Sequence, residues 1–199
     1  MDSKNHVCVS GVTHSRPAYS HSMYGETFYS FFIAVKRLSG YLDILPVTAA
    51  YGLVKDLCLG DFILINGQLR SYNKIIDGNS RLILTIFARE VCIGAQEKKN
   101  EIFLDGYICK PVVYRATPFN REITDVLLAV NRHYNKSDYI PAITWGANAR
   151  KCQYLEVGDR IQVCGRVQSR EYEKRLSDGR IVVRVAYEVS ISEVKKLDC

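Results

Sequence analysis

The feature that most constrains this chain is an internal repeat, because its two halves carry the same landmarks at an offset of about 95 residues. Gly11 is matched by Gly106 at that spacing. Further along, the string LGDFILINGQLRS, which starts at Leu59, is matched by VGDRIQVCGRVQS, which starts at Val157, at an offset of 98 residues. Self-similarity of this kind indicates two copies of one domain. The 199 residues therefore divide into two units of about 100 residues, each long enough for a core of its own.

Composition and charge are those of an ordinary globular protein with a mild basic excess. Hydrophobic residues make up 47% of the chain and charged residues 24%, as in most folded domains. The formal net charge of +6 is shared equally, with 11 basic and 8 acidic residues in 1–99 and 16 basic and 13 acidic residues in 100–199. Such an excess fits a nucleic-acid partner, but it also fits an ordinary solvated surface.

Cysteine usage and hydropathy favour a protein of a reducing compartment. The seven cysteines include no CxxC pair, so they indicate neither a disulfide framework nor a zinc site. No apolar segment opens the chain, and no apolar run approaches the roughly 18 residues that span a bilayer. We therefore expect a cytoplasmic protein with no membrane partner.

Catalytic and metal-binding patterns are missing from the sequence. It has no GxxxxGK loop, GxSxG elbow, HExxH pair or close set of carboxylates, which are the common signatures of catalysis. The nearest approach to a metal cluster is formed by His6, His14 and His21 with Cys8, and their spacing suits no common zinc pattern. We expect no enzymatic activity, no metal and no cofactor.

Hydrophobic periodicity predicts the same order of elements in both halves. In the second half it predicts three strands, a short helix and a closing hairpin, at 102–109, 123–131, 138–145, 147–155 and 160–192. The hairpin is predicted to turn at Asp178-Gly179, a good hairpin signal, and Asp77-Gly78 stands at the matching place in the first half.

This order is that of the OB-fold, a five-stranded Greek-key barrel that commonly binds oligonucleotides or oligosaccharides. Other small barrels and sandwiches are also built from short strands, so order alone leaves them open. We expect an all-β chain with short helices, made of two tandem OB-fold barrels at 1–96 and 101–199. The polar segment 95–100 is the predicted linker.

Two segments of the second half are similar to a known family. They are ATPFNREITDVLLAVNRHY, from Ala116 to Tyr134, and WGANARKCQYLEVGDRIQVCGRVQSREYEK, from Trp145 to Lys174. Over about residues 102–193 the chain resembles the bacterial single-stranded DNA-binding protein family, whereas the first half, a divergent copy, matches only in skeleton. The resemblance implies sequence-independent binding and protection of single-stranded DNA in replication, recombination or repair, and a homodimer of two-barrel chains. The acidic tail with an apolar tip that is usual in the family is not seen at 193–199.

The resemblance also implies which aromatic side chains stack on DNA bases. Trp145, Tyr139 and Tyr172 correspond directly to stacking positions, and Tyr134 corresponds more loosely. Stacking contributes roughly 1–3 kcal/mol per base and accepts any base. The alternative is that a lone tryptophan and half-buried tyrosines belong to a core or an interface.

Basic residues lie beside these aromatic residues in the sequence. Even-numbered residues from Arg166 to Lys174 share one strand face, and the opposite face turns acidic after Ser169, which predicts a hairpin that projects from the barrel. We expect phosphate contacts from Arg115, Arg121, Arg132, Arg150, Arg166, Arg170 and Lys174.

The first half lacks part of this platform, since Ala50 or Tyr51 stands opposite Trp145 and Ile44 stands opposite Tyr139. It is predicted either to help association or to form a weaker groove from Lys36, Arg37, Tyr41, Tyr51, Arg70, Tyr72 and Lys74. Two alternatives to DNA binding stay open for the whole chain. One is a structural or protein-interaction module that has kept the barrel and lost the ligand, and the other is a single-stranded RNA binder.

Overall fold

Twelve strands and two short helices make up the part of the chain that a computed structural model describes, residues 4–76, 78–117, 119–132, 135–175 and 179–197. The first half contains β1 (Asn5–Thr13), β2 (Ala18–Met23), β3 (Glu26–Lys36), β4 (Leu42–Ala50), α1 (Tyr51–Val54), β5 (Phe62–Ile76) and β6 (Asn79–Ile93). The second half contains β7 (Asn100–Ile108), β8 (Val113–Ala116), β9 (Glu122–Asn131), β10 (Ser137–Trp145), α2 (Gly146–Cys152), β11 (Arg160–Arg175) and β12 (Ile181–Leu197). Within these ranges no helix combines the length and the apolar character needed to cross a membrane.

Each half closes into a barrel of five main strands. In the first, β1 pairs with β3 and β5, β3 with β4, β4 in parallel with β6, and β6 with β5. In the second, β7 pairs with β9 and β11, β9 with β10, β10 in parallel with β12, and β12 with β11. The ring of pairings is closed, so these strands leave no open sheet edge inside either barrel. The prediction of an all-β chain with short helices is confirmed.

The predicted strands and the helix of the second half are found within a few residues of their expected bounds. The helix is shorter than predicted, ending at Cys152 rather than at Leu155. Strands β2 and β8, which lie on the outer edges of β3 and β9, were not predicted. Every residue in both is exposed, so neither has the alternation of buried positions on which the prediction of strands depends.

The internal repeat is preserved in the pairing of the strands. Phe28 lies opposite Ala50 in the first barrel. Their counterparts at the repeat offset, Ile123 and Trp145, lie opposite each other in the second. The longest hairpin of each barrel has a β-bulge at the same place, just before Gly67 in β5 and just before Gly165 in β11. A Cβ atom at either glycine would lie 2.2 Å from a carbonyl oxygen of the opposite strand, so the bulge requires glycine.

The two barrels are joined edge to edge by antiparallel pairing of β1 with β7. Val7 lies opposite Ile102, its own counterpart in the repeat, so the barrels are related by a local twofold axis, as in an isologous dimer interface. The predicted linker has no helix or strand up to Lys99. Its end lies along β1, where the Lys99 N–H donates to Ser10 Oγ at 2.7 Å. The buried side chains of both barrels form one contiguous cluster.

Two matched hydrogen-bond networks, here called the latches, fix the barrels against each other. In the first latch Asp43 accepts the Ser169 N–H at 2.7 Å and Arg37 Nε at 2.7 Å, while Arg37 Nη2 donates to the Ser169 carbonyl at 2.8 Å. Asp43 is fully buried, and its bond raises the pKa of Arg37. The first latch thus connects the β3–β4 turn of the first barrel to the β11–β12 hairpin of the second.

The second latch repeats this geometry at the counterpart residues. Asp138 accepts the Ser71 N–H at 2.6 Å and two bonds from Arg132, whose Nη2 also donates to the Ser71 carbonyl at 2.9 Å. Arg70 Nη1 adds a third cationic donor at 3.1 Å. The Tyr139 N–H donates to Ser71 Oγ at 2.7 Å, so this latch holds a predicted stacking residue in place.

Candidate nucleic-acid interface

A groove of about 690 Å³ crosses the second barrel beside the only tryptophan. Trp145 ends β10 and keeps 41% of its surface exposed. The groove is lined on the second barrel by Arg121, Trp145, Gly165, Arg166 and Ile191, and it is completed by Arg37 from the first barrel and Glu101. Arg121 and Arg166, against the carboxylate of Glu101, make the groove attractive to phosphate, whereas the charge of Arg37 is paired with Asp43 in the first latch.

The strand register places a second set of aromatic side chains on the outer face of the same barrel. Residues directly opposite each other in antiparallel strands point to the same side of the sheet. Tyr139 lies opposite Ala129, and Ala129 lies opposite Tyr107, so the two exposed tyrosines share one row. In the next part of the sheet Arg115 and Trp145 both lie opposite Ile123, which is buried. Tyr107 was missed by sequence analysis, because only the pairing of β7 with β9 brings it beside Tyr139.

The β11–β12 hairpin extends beyond the barrel as predicted, with Arg170, Tyr172 and Lys174 on one face. The Arg170 guanidinium lies 5.8 Å from the centre of the exposed Tyr172 ring. Arg184 lies opposite Tyr172 and so adds a cation to this face. Arg184 was also missed by sequence analysis, since its place depends on the hairpin register. Glu171 and Glu173 are on the other face, as the strand alternation predicts.

Several of the basic residues that are predicted to contact phosphates form ion pairs with carboxylates. Arg115 Nε lies 2.9 Å from Asp125 Oδ2, and Arg150 pairs with Glu122. Glu122 also accepts the Tyr114 hydroxyl at 2.6 Å, a bond that lowers the pKa of Glu122. The guanidinium of Arg132 is held in the second latch. In contrast, Arg121 and Lys174 are exposed and form no ion pair within the described ranges.

The predicted residues of the first barrel are scattered rather than gathered in one groove. Arg37 belongs to the first latch and lies over the Tyr41 ring, 4.7 Å from its centre. Arg70 donates to Asp138, and burial lowers the pKa of Arg70. The others are exposed: Lys36 at the end of β3, Tyr51 at the start of α1, and Tyr72 and Lys74 on one face of the β5–β6 hairpin. Tyr134 lies outside the described residues, as do Asp77 and Asp178 of the two predicted turns.

Comparison with known proteins decides the family of the chain. The model of the "Single-strand binding protein family" matches residues 99–197. A single-stranded DNA-binding protein of Clostridium tetani is 33% identical over 106 residues, which are 50% of this chain and 70% of the relative. The chain belongs to the single-strand binding protein family. A second relative in that family, single-stranded DNA-binding protein 2 of Clostridium acetobutylicum, is 31% identical over 106 residues, covering 77% of its length.

Solved structures of the single-strand binding protein family extend the likeness to both barrels. The wild-type single-stranded DNA binding protein from Thermus aquaticus matches with a TM-score of 0.76 at 19% identity, over 98% of this chain and 93% of that chain. A deletion mutant of the same protein matches with a TM-score of 0.74. The first half, which the family model does not reach, therefore has the family fold, and the prediction of two tandem OB-fold barrels is confirmed.

Proposed function

We propose that this protein binds single-stranded DNA without sequence preference and protects it in replication, recombination or repair, in the cytoplasm and in association with the nucleoid. The observation that carries the proposal is the exposed Trp145 ring at the side of a groove with three arginines. An aromatic face binds any base, and the surrounding cations bind the phosphates between bases. Binding of this kind protects the strand without any chemical step.

In this proposal the bases stack on three of the exposed aromatic side chains of the second barrel, Trp145, Tyr139 and Tyr172, with Tyr134 as a further predicted contact. Arg121, Arg166, Arg184 and Lys174 contact the phosphates. Arg115, Arg150 and Arg170 do so only by exchanging their carboxylate partners for phosphate, whereas Arg132 acts through the latch. We assign the barrels to 1–96 and 101–199, which agrees with the end of β6 at Ile93 and the start of β7 at Asn100.

We also propose that two chains associate into a homodimer with four barrels. One face of β12 carries a row of exposed apolar side chains, Ile181, Val183 and Val185. A row of this kind on a projecting hairpin favours burial against another copy. In solution the particle mass is expected to be twice the chain mass of 22.6 kDa, and Val183→Asp is expected to return it to the single-chain value. A wild-type mass of one chain across the micromolar range would contradict the dimer.

Fluorescence anisotropy of a labelled oligo(dT), with duplex DNA and oligo(U) as competitors, tests the main proposal. We expect tight binding that duplex does not displace and that weakens with salt at a log-log slope of about 0.7 per phosphate contact. Four or five contacts correspond to a slope of about −3. Preferential displacement by oligo(U) would indicate an RNA binder, and no binding to either polymer would indicate an interaction module.

A further inference from the structure

The first barrel contains an aromatic pocket beside α1. This tyrosine pocket, of about 270 Å³, is formed by Tyr29 and Tyr51 at its side, Val54 and Leu57 at its base, and Arg16 and Lys55 at its rim. The two tyrosine rings lie 5.1 Å apart, centre to centre, at an interplanar angle of 36°. Their arrangement leaves 49% of Tyr51 exposed, which makes the ring accessible for stacking.

The tyrosine pocket is supported from outside by the β2–β3 hairpin. The Tyr19 ring packs edge-on against Tyr29, with ring centres 6.2 Å apart and an interplanar angle of 89°. Edge-to-face contacts of this kind hold aromatic rings in a defined orientation. The face of Tyr29 that is turned toward Tyr51 is therefore fixed before any ligand arrives.

The second barrel lacks both tyrosines at the corresponding place, where Tyr51 is matched by Gly146, and its cation there is paired. At the repeat offset of 95, Tyr29 corresponds to Thr124, which is fully buried and donates its hydroxyl to the Ala149 carbonyl at 2.8 Å. Lys55 corresponds to Arg150, which pairs with Glu122. The counterpart of Glu122 in the first barrel is Thr27, which is uncharged.

The cations at the rim of the tyrosine pocket are therefore left for a ligand. Lys55 has only a loose contact with Asp56, at 3.9 Å, in which both side chains are more than half exposed. A surface pair of this kind contributes little and is easily exchanged. Arg16 is exposed at the opposite side of the pocket.

Aromatic walls, an apolar base and two cations at the rim suit a planar base that carries a phosphate, which is a nucleotide. The pocket lies at the end of β4 that corresponds to the Trp145 end of β10. Ala50 is the counterpart of Trp145, so the first barrel lacks that tryptophan, but Tyr51 follows Ala50 immediately. The first barrel thus has an exposed tyrosine next to the position that the tryptophan occupies in the second barrel.

We infer that the tyrosine pocket is the nucleotide subsite of the first barrel, and that it takes one nucleotide of the same single strand that occupies the Trp145 groove. The inference rests on the proposed function. DNA strands that are long enough to reach both barrels bind in the tyrosine pocket as well, whereas short DNA strands bind to the second barrel alone.

Photo-crosslinking of the intact wild-type chain tests the inference without a substitution. Oligo(dT) of about 30 nucleotides, a length that two OB-folds can cover, is prepared with 5-iododeoxyuridine at scattered positions and is irradiated in the complex. We expect crosslinked peptides that contain Tyr51 or Tyr29, together with peptides of the second barrel. Crosslinks restricted to the second barrel at saturation would overturn the subsite but not the proposed function, and a failure of the wild type to bind would overturn both.

Two variants provide the matching affinity measurement. Tyr51→Ala is expected to weaken binding of the oligonucleotide of about 30 residues by roughly fivefold or more, the loss of one stacked base. Binding of an oligonucleotide of about 8 residues, within the reach of one OB-fold, should change by less than about twofold. Lys55→Gln should weaken binding of the longer oligonucleotide only, and it should flatten the salt dependence of that binding.

The control is Tyr154→Ala, which removes an exposed tyrosine outside both sites. Equal affinity of Tyr51→Ala and Tyr154→Ala for the longer strand would contradict the subsite.

Discussion

Replacement of Asp138 by alanine is expected to lower the free energy of unfolding by about 3–5 kcal/mol, the usual cost of removing one partner of a buried ion pair. Asp138 is only 1% exposed. Its loss leaves the guanidinium groups of Arg132 and Arg70 and the N–H of Ser71 without their acceptor at the junction of the barrels. Asp43→Ala is expected to have an effect of the same size, because the first latch has the same geometry.

Urea unfolding of the variants, followed by circular dichroism, measures this loss. The control is Asp56→Ala, since the Asp56 side chain is 80% exposed and its ion pair with Lys55 is long, at 3.9 Å, so its removal should change stability by no more than about 0.5 kcal/mol. If Asp138→Ala and Asp56→Ala unfolded at the same urea concentration, the latches would not hold the barrels together.

Replacement of Trp145 by alanine is expected to weaken binding of single-stranded DNA by roughly 1–3 kcal/mol, the contribution of one stacked base. The side chain is 41% exposed, so the variant should fold. The slope of affinity against salt should be unchanged, because the indole contacts a base and not a phosphate. Arg166→Gln provides the contrast. Because it removes a phosphate contact, it should lower both the affinity for DNA and the slope of affinity against salt concentration.

Competition binding against wild-type protein, over a range of salt concentrations, measures both quantities. Trp145→Phe keeps an aromatic face at the same place and should retain most of the affinity. An alanine variant that binds as tightly as the phenylalanine variant would show that the aromatic ring at position 145 has no role in binding.

The core strands could be predicted because the internal repeat and the hydrophobic periodicity both reflect which side chains are buried. The β-branched and apolar run within β9, EITDVLLAVN, identifies a strand from local sequence alone. The pairing of β1 with β7 was not predictable, because it depends on two strands that are about 95 residues apart. The rows that bring Tyr107 beside Tyr139 and Arg184 beside Tyr172 depend on strand register in the same way.

The repeat itself contained a signal that separates the latches from the binding surface. Arg37 and Asp43 recur as Arg132 and Asp138 at the same offset, although the first half has lost the aromatic platform. The arginine and the aspartate that recur in both copies of the repeat hold the junction, which is the feature that both barrels share. Trp145 has no aromatic counterpart at Ala50, as expected for a residue whose role belongs to one barrel. The prediction of phosphate contacts at Arg37 and Arg132 relied on nearness to aromatic residues in sequence and took no account of this difference.

The most direct test of the account is the fluorescence of the single tryptophan during titration with oligo(dT), at low and at high salt, with duplex DNA as the control. Stacking of a base on Trp145 predicts strong quenching that saturates with the single strand, weakens as salt is raised and is nearly absent with duplex. Unchanged fluorescence at a concentration where a mobility shift shows the oligonucleotide fully bound would contradict stacking at Trp145. Unchanged fluorescence with no mobility shift would contradict DNA binding altogether.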